Sequence, residues 1–82
     1  KIDLNEIADK DKLLYENLRI FRLELAKKLR LPAYVVFPDK SLIQMAKYKP
    51  SNLDELEQIY GVGKAKLKKF GKQFIEIIEK NS

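Results

Sequence analysis

Apolar residues between positions 13 and 30 recur at steps of three and four, and this spacing predicts an amphipathic helix of about 18 residues. Its inner face is formed by Leu14, Leu18, Phe21, Leu25 and Leu29. Pro32 ends the helix, because the residue before a proline is disfavoured in helical geometry. Residues 1–12 show no sustained period, so we expect a linker or the end of a preceding region, with at most one turn of helix.

The run from Pro32 to Phe37 is short, apolar and closed by Pro38. Its composition suits a strand, but no second run of similar quality exists to pair with it, and a lone strand is not a stable element. We therefore predict an irregular or 3₁₀ connection packed on the core. Phe37 and the two valines before it are expected to be buried, and Tyr34 is expected to be partly exposed.

Three further helices are predicted after Pro38. Asp39 is a candidate N-cap for the first of them, and Pro50 ends it. Ser51 and Asp54 resemble a capping box for the next. The expected bounds are about 40–49, 52–59 and 64–79, with Gly71 marking a close helix contact. The sequence thus predicts an all-α fold, a small single-domain bundle of about four to five short helices over residues 13–80.

Composition excludes most enzyme chemistry. The 82 residues are 45% hydrophobic and 35% charged, as expected of one folded domain, and they include no cysteine and no histidine. Disulfides, zinc-finger ligands, thiol nucleophiles and imidazole bases are therefore absent. We see no catalytic constellation and predict that this chain is not itself an enzyme and binds no cofactor.

Sequence features also bear on assembly and location. No apolar run approaches the roughly 18 residues that a membrane span needs, so no membrane partner is expected. Nothing resembles a heptad seam, which predicts a monomer. The chain begins with Lys1 and shows no signal-peptide pattern, so we expect a piece of a longer intracellular protein.

Positive charge is concentrated on the first helix and at the start of the last one. The net charge is +5, which suggests an anionic partner. In the last helix Lys64, Lys68 and Lys72 lie along one face, and Lys66 and Lys69 widen it. Such a lysine run alone is more often a solvated surface than a binding site. On the first helix the candidates, chosen on charge alone, are Arg19, Arg22, Lys27 and Lys28.

The turn before these lysines is the strongest local signal. Its pattern, hydrophobic-x-Gly-hydrophobic-Gly-Lys over residues 59–64, is similar to the hairpin of helix-hairpin-helix DNA-binding proteins. Gly61 and Gly63 would let backbone approach a phosphate, and the first amides of the next helix lack intrahelical partners. Lys64 and Lys66 would add charge there, with Val62 plugged into the core. The same glycines also suit a simple tight turn, so both interpretations stay open.

Two other groups of side chains are candidates for chemistry. Tyr34 could stack on an unpaired base, with Phe37 and Tyr48 as lesser candidates. An acidic cluster at residues 54–57 could suggest a metal or acid–base site, but carboxylates in the first turn of a helix complement its dipole. We favour that structural role for the cluster.

Several motifs together resemble the HRDC domain, the helicase and ribonuclease D C-terminal module. They are Leu18, Arg22 and Ala26; Pro-x-Tyr-Val-Val-Phe at 32–37; Asp-x-x-Leu-Ile-x-Met-Ala at 39–46; and Leu-x-x-Ile-x-Gly-Val-Gly-x-x-Lys-Leu-x-x-Phe-Gly at 56–71. The resemblance covers about residues 13–80 and is closest to the version in bacterial RecQ-type ATP-dependent DNA helicases.

This resemblance implies a bundle of five or so helices that binds DNA, often single strands, and tunes substrate choice for a separate motor. ATP and magnesium would belong to a parent helicase of DNA recombination and repair, cytoplasmic and nucleoid-associated in a bacterium. Tyr34 matches the family's exposed aromatic residue, and Lys64 with the Gly61–Gly63 turn matches its hairpin.

The leading hypothesis is a weak, sequence-nonspecific DNA-binding module of a RecQ-like helicase. Its phosphate contacts would come from Lys64, Lys66, Lys68 and Arg22, with a base stacked on Tyr34. One alternative is a domain that docks on the helicase core or on a repair partner. Another is an RNA-binding domain of a ribonuclease D-like enzyme.

Overall fold

The computed structural model describes residues 7–81, and this part of the chain forms five α-helices preceded by a 3₁₀ turn, with no strand. The all-α prediction is confirmed. No helix within residues 7–81 is long and apolar enough to cross a membrane. The 3₁₀ turn is Asp9–Asp11, and the helices are α1 (Lys12–Leu29), α2 (Ala33–Val36), α3 (Asp39–Tyr48), α4 (Leu53–Glu57) and α5 (Lys64–Lys80).

Helix α1 is the centre of the bundle. It packs against α2, α3 and α5, while α4 packs on α5. The predicted apolar positions of α3 are all buried, and Leu14 and Leu18 of α1 are buried against them. The periodicity assigns Leu29 to the inner face, but it is 42% exposed. It is the last residue of α1, at the edge of the core.

An aromatic cluster connects the chain after α2 to α1 and α5. The ring of Phe37 meets Phe74 and Phe70 edge-on, with centroids 4.9 and 6.0 Å apart, and Phe74 meets Phe21 at 5.1 Å. Edge-to-face pairs of this kind each contribute about 0.5–1.5 kcal/mol beyond their burial. The predicted burial of Phe37 is therefore confirmed, and its ring holds the start of α3 close to α5.

The segment after Pro32 is one turn of α-helix, not the irregular or 3₁₀ connection predicted from its composition. In a helical turn successive side chains point about 100° apart, so the two valines cannot share one environment. Val36 is fully buried, whereas Val35 is 37% exposed and the prediction that it is buried is wrong.

Two predicted caps differ from the structure. Asp39 is the first residue of α3 rather than its N-cap, which is Pro38. Helix α4 is capped by Asn52, whose side chain accepts a hydrogen bond from the Glu55 amide at 2.9 Å, and not by Ser51. Ser51 instead donates to the Glu55 carboxylate from its amide at 2.8 Å and its hydroxyl at 3.0 Å. Both hydrogen bonds lower the pKa of Glu55, and the bond from the Ser51 backbone amide has the larger effect.

The folded part of the chain extends into the predicted linker. Ile7 is 3% exposed and belongs to the core, and the buried carboxylate of Asp11 pairs with Lys49 at the end of α3. A single buried aliphatic residue carries no periodicity, which is why the pattern does not reveal it. Residues 1–6 of that linker lie outside the described part of the chain.

Candidate nucleic-acid interface

The hairpin between α4 and α5 is a tight turn anchored by its apolar residues. Ile59 and Val62 are buried, and the Val62 amide donates to the Ile59 carbonyl at 3.1 Å. Gly61 has φ +76°, a conformation that favours glycine. Gly63 has φ −86° and serves as the N-cap of α5, so it is not needed for a left-handed conformation. The prediction that Val62 plugs the hairpin into the core is confirmed.

Helix α3 holds the hairpin by the backbone of Tyr60. The Tyr60 amide donates to Gln44 Oε1 at 2.9 Å, and the buried Ser41 hydroxyl donates to the Tyr60 carbonyl. A Cβ added to Gly61 would lie 2.6 Å from Ser41 Oγ and 3.2 Å from Pro38 Cγ. The hairpin is therefore seated on the N-terminal turn of α3. No local motif in the sequence marks Ser41 and Gln44, because the residue that they bond, Tyr60, lies 19 and 16 positions further along the chain.

The N-terminus of α5 combines free amides with positive charge. Gly63 offers no side-chain cap, and the first bond of the helix runs from the Leu67 amide to the Gly63 carbonyl at 2.9 Å. The amides of residues 64–66 therefore have no intrahelical acceptor. Lys64 and Lys68 are exposed, and no acidic residue lies in the first turn.

Lys66 links this helix end to the segment after α2. Its Nζ lies 5.8 Å from the centroid of the Phe37 ring, within the range of a cation–π contact. Tyr34 is three residues before Phe37, a separation that spans at most about 11 Å. Tyr34 is 69% exposed, so the exposure predicted for it is confirmed. Tyr34 therefore belongs to the same short segment as Phe37, whose ring contacts Lys66 at the start of α5.

The basic residues of α1 do not form one group. Arg19 is exposed and pairs with Glu16 on the same helix at 3.0 Å, and Lys27 and Lys28 are exposed in the last turn. Arg22 is only 8% exposed. A phosphate contact through Arg22 is therefore not available in this fold.

Arg22 has a structural role. Its guanidinium lies 2.7 Å from the Asp39 carboxylate and donates to the Phe37 carbonyl at 3.0 Å. The signal for this was present in the sequence: Arg22 stands four residues from both Leu18 and Ala26, which are buried, so all three share the inner face of α1.

The acidic residues of α4 do not form a metal site. No group of three or more acidic, histidine or cysteine side chains in residues 7–81 is arranged to hold a metal ion. Asp54 and Glu55 lie in the first turn of α4, where they complement the helix dipole.

The sequence model of the HRDC domain family matches residues 11–78. The chain belongs to the HRDC family. A solved structure described as D. radiodurans RecQ HRDC domain 3 is similar to this HRDC domain with a TM-score of 0.82 and 31% identity, covering 85% of this chain and 92% of that one. The resemblance noted in the sequence is therefore confirmed, and with it the fold.

Curated relatives of this HRDC domain are helicases. It is 41% identical over 75 residues to the ATP-dependent DNA helicase RecQ of Haemophilus influenzae, and 41% identical over 73 residues to RecQ of Bacillus subtilis. It is 38% identical over 71 residues to the ATP-dependent DNA helicase UvrD2 of Mycobacterium bovis. These matches cover 92%, 89% and 87% of this chain but only 12%, 12% and 10% of the relatives.

Proposed function

We propose that this HRDC domain is a non-catalytic, nucleic-acid-binding part of a RecQ-like ATP-dependent DNA helicase that acts in DNA recombination and repair. The relatives described above are named as DNA helicases, which supports DNA over the RNA of a ribonuclease D-like enzyme. ATP and magnesium would be bound by the motor of that parent helicase, in the bacterial cytoplasm at the nucleoid.

The observation that carries this proposal is the geometry of the hairpin. Gly61 turns the chain, Gly63 leaves the start of α5 uncapped, and Lys64 stands exposed beside the free amides. Backbone amides at a helix N-terminus and lysine ammonium groups both bind phosphate oxygens. Neither group reads base identity, so binding at the hairpin is independent of DNA sequence.

Two further groups of contacts complete the proposed interface. Lys66 and Lys68 continue the positive charge along α5, and the exposed ring of Tyr34 offers a platform for an unpaired base. This aromatic residue is the reason to favour single strands. Arg19 and Lys27 are secondary candidates on α1. With so few contacts we expect a Kd of about 10⁻⁴ to 10⁻⁶ M.

An NMR titration of this domain with a short single-stranded oligonucleotide at low salt tests the proposal. We expect amide shifts at Gly61, Gly63 and Lys64 and at Tyr34, reversed by added salt. The three phosphate contacts of Lys64, Lys66 and Lys68 correspond to a slope of about −2 for log affinity against log salt on a single strand. The absence of shifts at millimolar DNA would overturn the proposal.

One observation favours docking on protein as a second function. Four apolar residues at the α1–α2 corner are exposed by 37–69%: Leu29, Leu31, Tyr34 and Val35. Such a patch suits a contact with the helicase core or a repair partner. Binding at this patch would be insensitive to salt, which separates it from phosphate binding.

A further inference from the structure

The hairpin carries an exposed aromatic side chain, Tyr60, that is not among the contacts proposed above. Tyr60 directly precedes Gly61 and is 53% exposed. Its backbone is held at both polar groups, because Gln44 accepts from its amide and Ser41 donates to its carbonyl. An exposed ring on a backbone fixed in this way loses little conformational freedom when a ligand stacks on it.

A lysine accompanies this ring. The Nζ of Lys40, in the first turn of α3, lies 4.6 Å from the centroid of the Tyr60 ring. The ring is thus flanked by positive charge, and the next residues in the chain are the hairpin glycines and Lys64. A nucleotide offers a matching combination, since its base stacks on aromatic rings and its phosphate binds cations and free amides.

We propose that Tyr60 is a second stacking platform for an unpaired nucleobase, with Lys40 and the start of α5 binding the adjacent phosphates. This inference rests on the proposed function. It extends the interface from the hairpin to the N-terminal turn of α3. Double-stranded DNA, whose bases are stacked on each other, would not use Tyr60 in this way.

Tyr48 provides a matched control within the same protein. It is 62% exposed and has Lys47 Nζ 5.4 Å from its ring centroid, so it shares the exposed ring and the lysine. It lies at the other end of α3, beside a groove that is also lined by Glu55. A carboxylate there repels phosphates, and Tyr48 is not among the contacts proposed above.

The test measures the Kd of two ligands: oligothymidylate, and an oligonucleotide of equal length with abasic sites. Four proteins are compared: the domain without substitution, which we call the parent chain, and the variants Tyr60→Leu, Tyr60→Phe and Tyr48→Leu. We expect Tyr60→Leu to weaken oligothymidylate binding about five- to tenfold, the low end of the range for base stacking. Tyr60→Phe and Tyr48→Leu should stay within about twofold of the parent chain. On the abasic strand, the effect of Tyr60→Leu should disappear.

The outcomes separate this inference from the function on which it rests. If the parent chain binds oligothymidylate and Tyr60→Leu binds equally well, the stacking platform is wrong and the proposed function stands. An equal loss on the abasic strand would also overturn the platform, because no base is present to stack. If the parent chain does not bind single strands at low salt, both proposals fail.

Discussion

The guanidinium of Arg22 lies 2.7 Å from the carboxylate of Asp39 and so joins the middle of α1 to the first residue of α3. The same group donates to the buried carbonyl of Phe37 at 3.0 Å. Arg22 therefore supplies a hydrogen-bond donor to the backbone between α2 and α3. This is the region on which the hairpin is seated.

Replacing Arg22 should reduce stability. In Arg22→Met the carbonyl of Phe37 loses its donor inside the core, whereas Asp39 is partly exposed and remains hydrated. We expect the free energy of unfolding to fall by about 2 kcal/mol, measured by urea denaturation. Arg19→Gln is the control: its pair with Glu16 is exposed, so stability should change by less than about 0.5 kcal/mol. Equal stability of the two variants would contradict this role for Arg22.

The two glycines of the hairpin should respond differently to alanine. Gly61→Ala forces a side chain into φ +76° and against Ser41 Oγ and the Pro38 ring. We expect a loss of at least about 2 kcal/mol in stability. Gly63 has ordinary backbone angles and nothing within 4 Å of an added Cβ, so Gly63→Ala should cost less than about 1 kcal/mol.

Gly63→Ala also tests the phosphate site. If backbone approaches the phosphate at the start of α5, the added methyl should weaken DNA binding in a protein that remains folded. Unchanged affinity for single strands, measured by NMR titration, would show that Gly63 matters only as a helix cap.

Much of the fold follows from the sequence, because the apolar periods of α1, α3 and α5 are long and a proline follows both α1 and α3 within three residues. What the pattern could not reveal depends on contacts between distant residues. Ser41 and Gln44 hold the hairpin from another helix, and Ile7 joins the core without any periodic neighbours. The charge of Arg22 suggested a contact with DNA phosphates. Its position on the inner face of α1 instead buries the guanidinium against Asp39 and the Phe37 carbonyl.

Helices α1 and α3 each end on a non-glycine residue with positive φ. Replacing that residue by glycine should change stability in opposite directions at the two positions. Arg30 at the end of α1 has φ 59°, and Lys49 at the end of α3 has φ 47°. Arg30→Gly relieves that conformation and should raise stability by about 0.5–1 kcal/mol in thermal or urea unfolding. Lys49→Gly should lower it, because the buried carboxylate of Asp11 loses its partner. Equal gains in both variants would mean that the Asp11–Lys49 pair contributes nothing.

The hydrogen bonds between Ser51 and Glu55, beside the N-terminus of α4, make stability dependent on pH. The Ser51 amide and hydroxyl favour the charged form of Glu55 and lower its pKa. The contribution of these hydrogen bonds is therefore fully present above the unfolded-state pKa of about 4.3 and is lost as the pH falls through the folded-state pKa. In Ser51→Ala the hydroxyl donor is gone, so the Glu55 pKa should rise part of the way to its ordinary value in a carbon-detected NMR titration. Ser51→Thr keeps a hydroxyl and should retain more of the shift; an unchanged pKa in Ser51→Ala would refute the hydroxyl's contribution.

The contribution of α5 to DNA binding should depend on where a lysine lies and not on net charge. Lys64→Gln and Lys80→Gln change the charge of the protein equally, but Lys80 lies about 24 Å along the helix from Lys64. If phosphates bind at the hairpin, Lys64→Gln should weaken single-strand binding and reduce the salt slope by about 0.7, with Lys80→Gln close to the parent chain. Equal losses in both variants would indicate diffuse attraction to a basic surface. A loss confined to Lys64→Gln, of the same size for oligonucleotides of different sequence, is the result expected of a phosphate site that does not read bases.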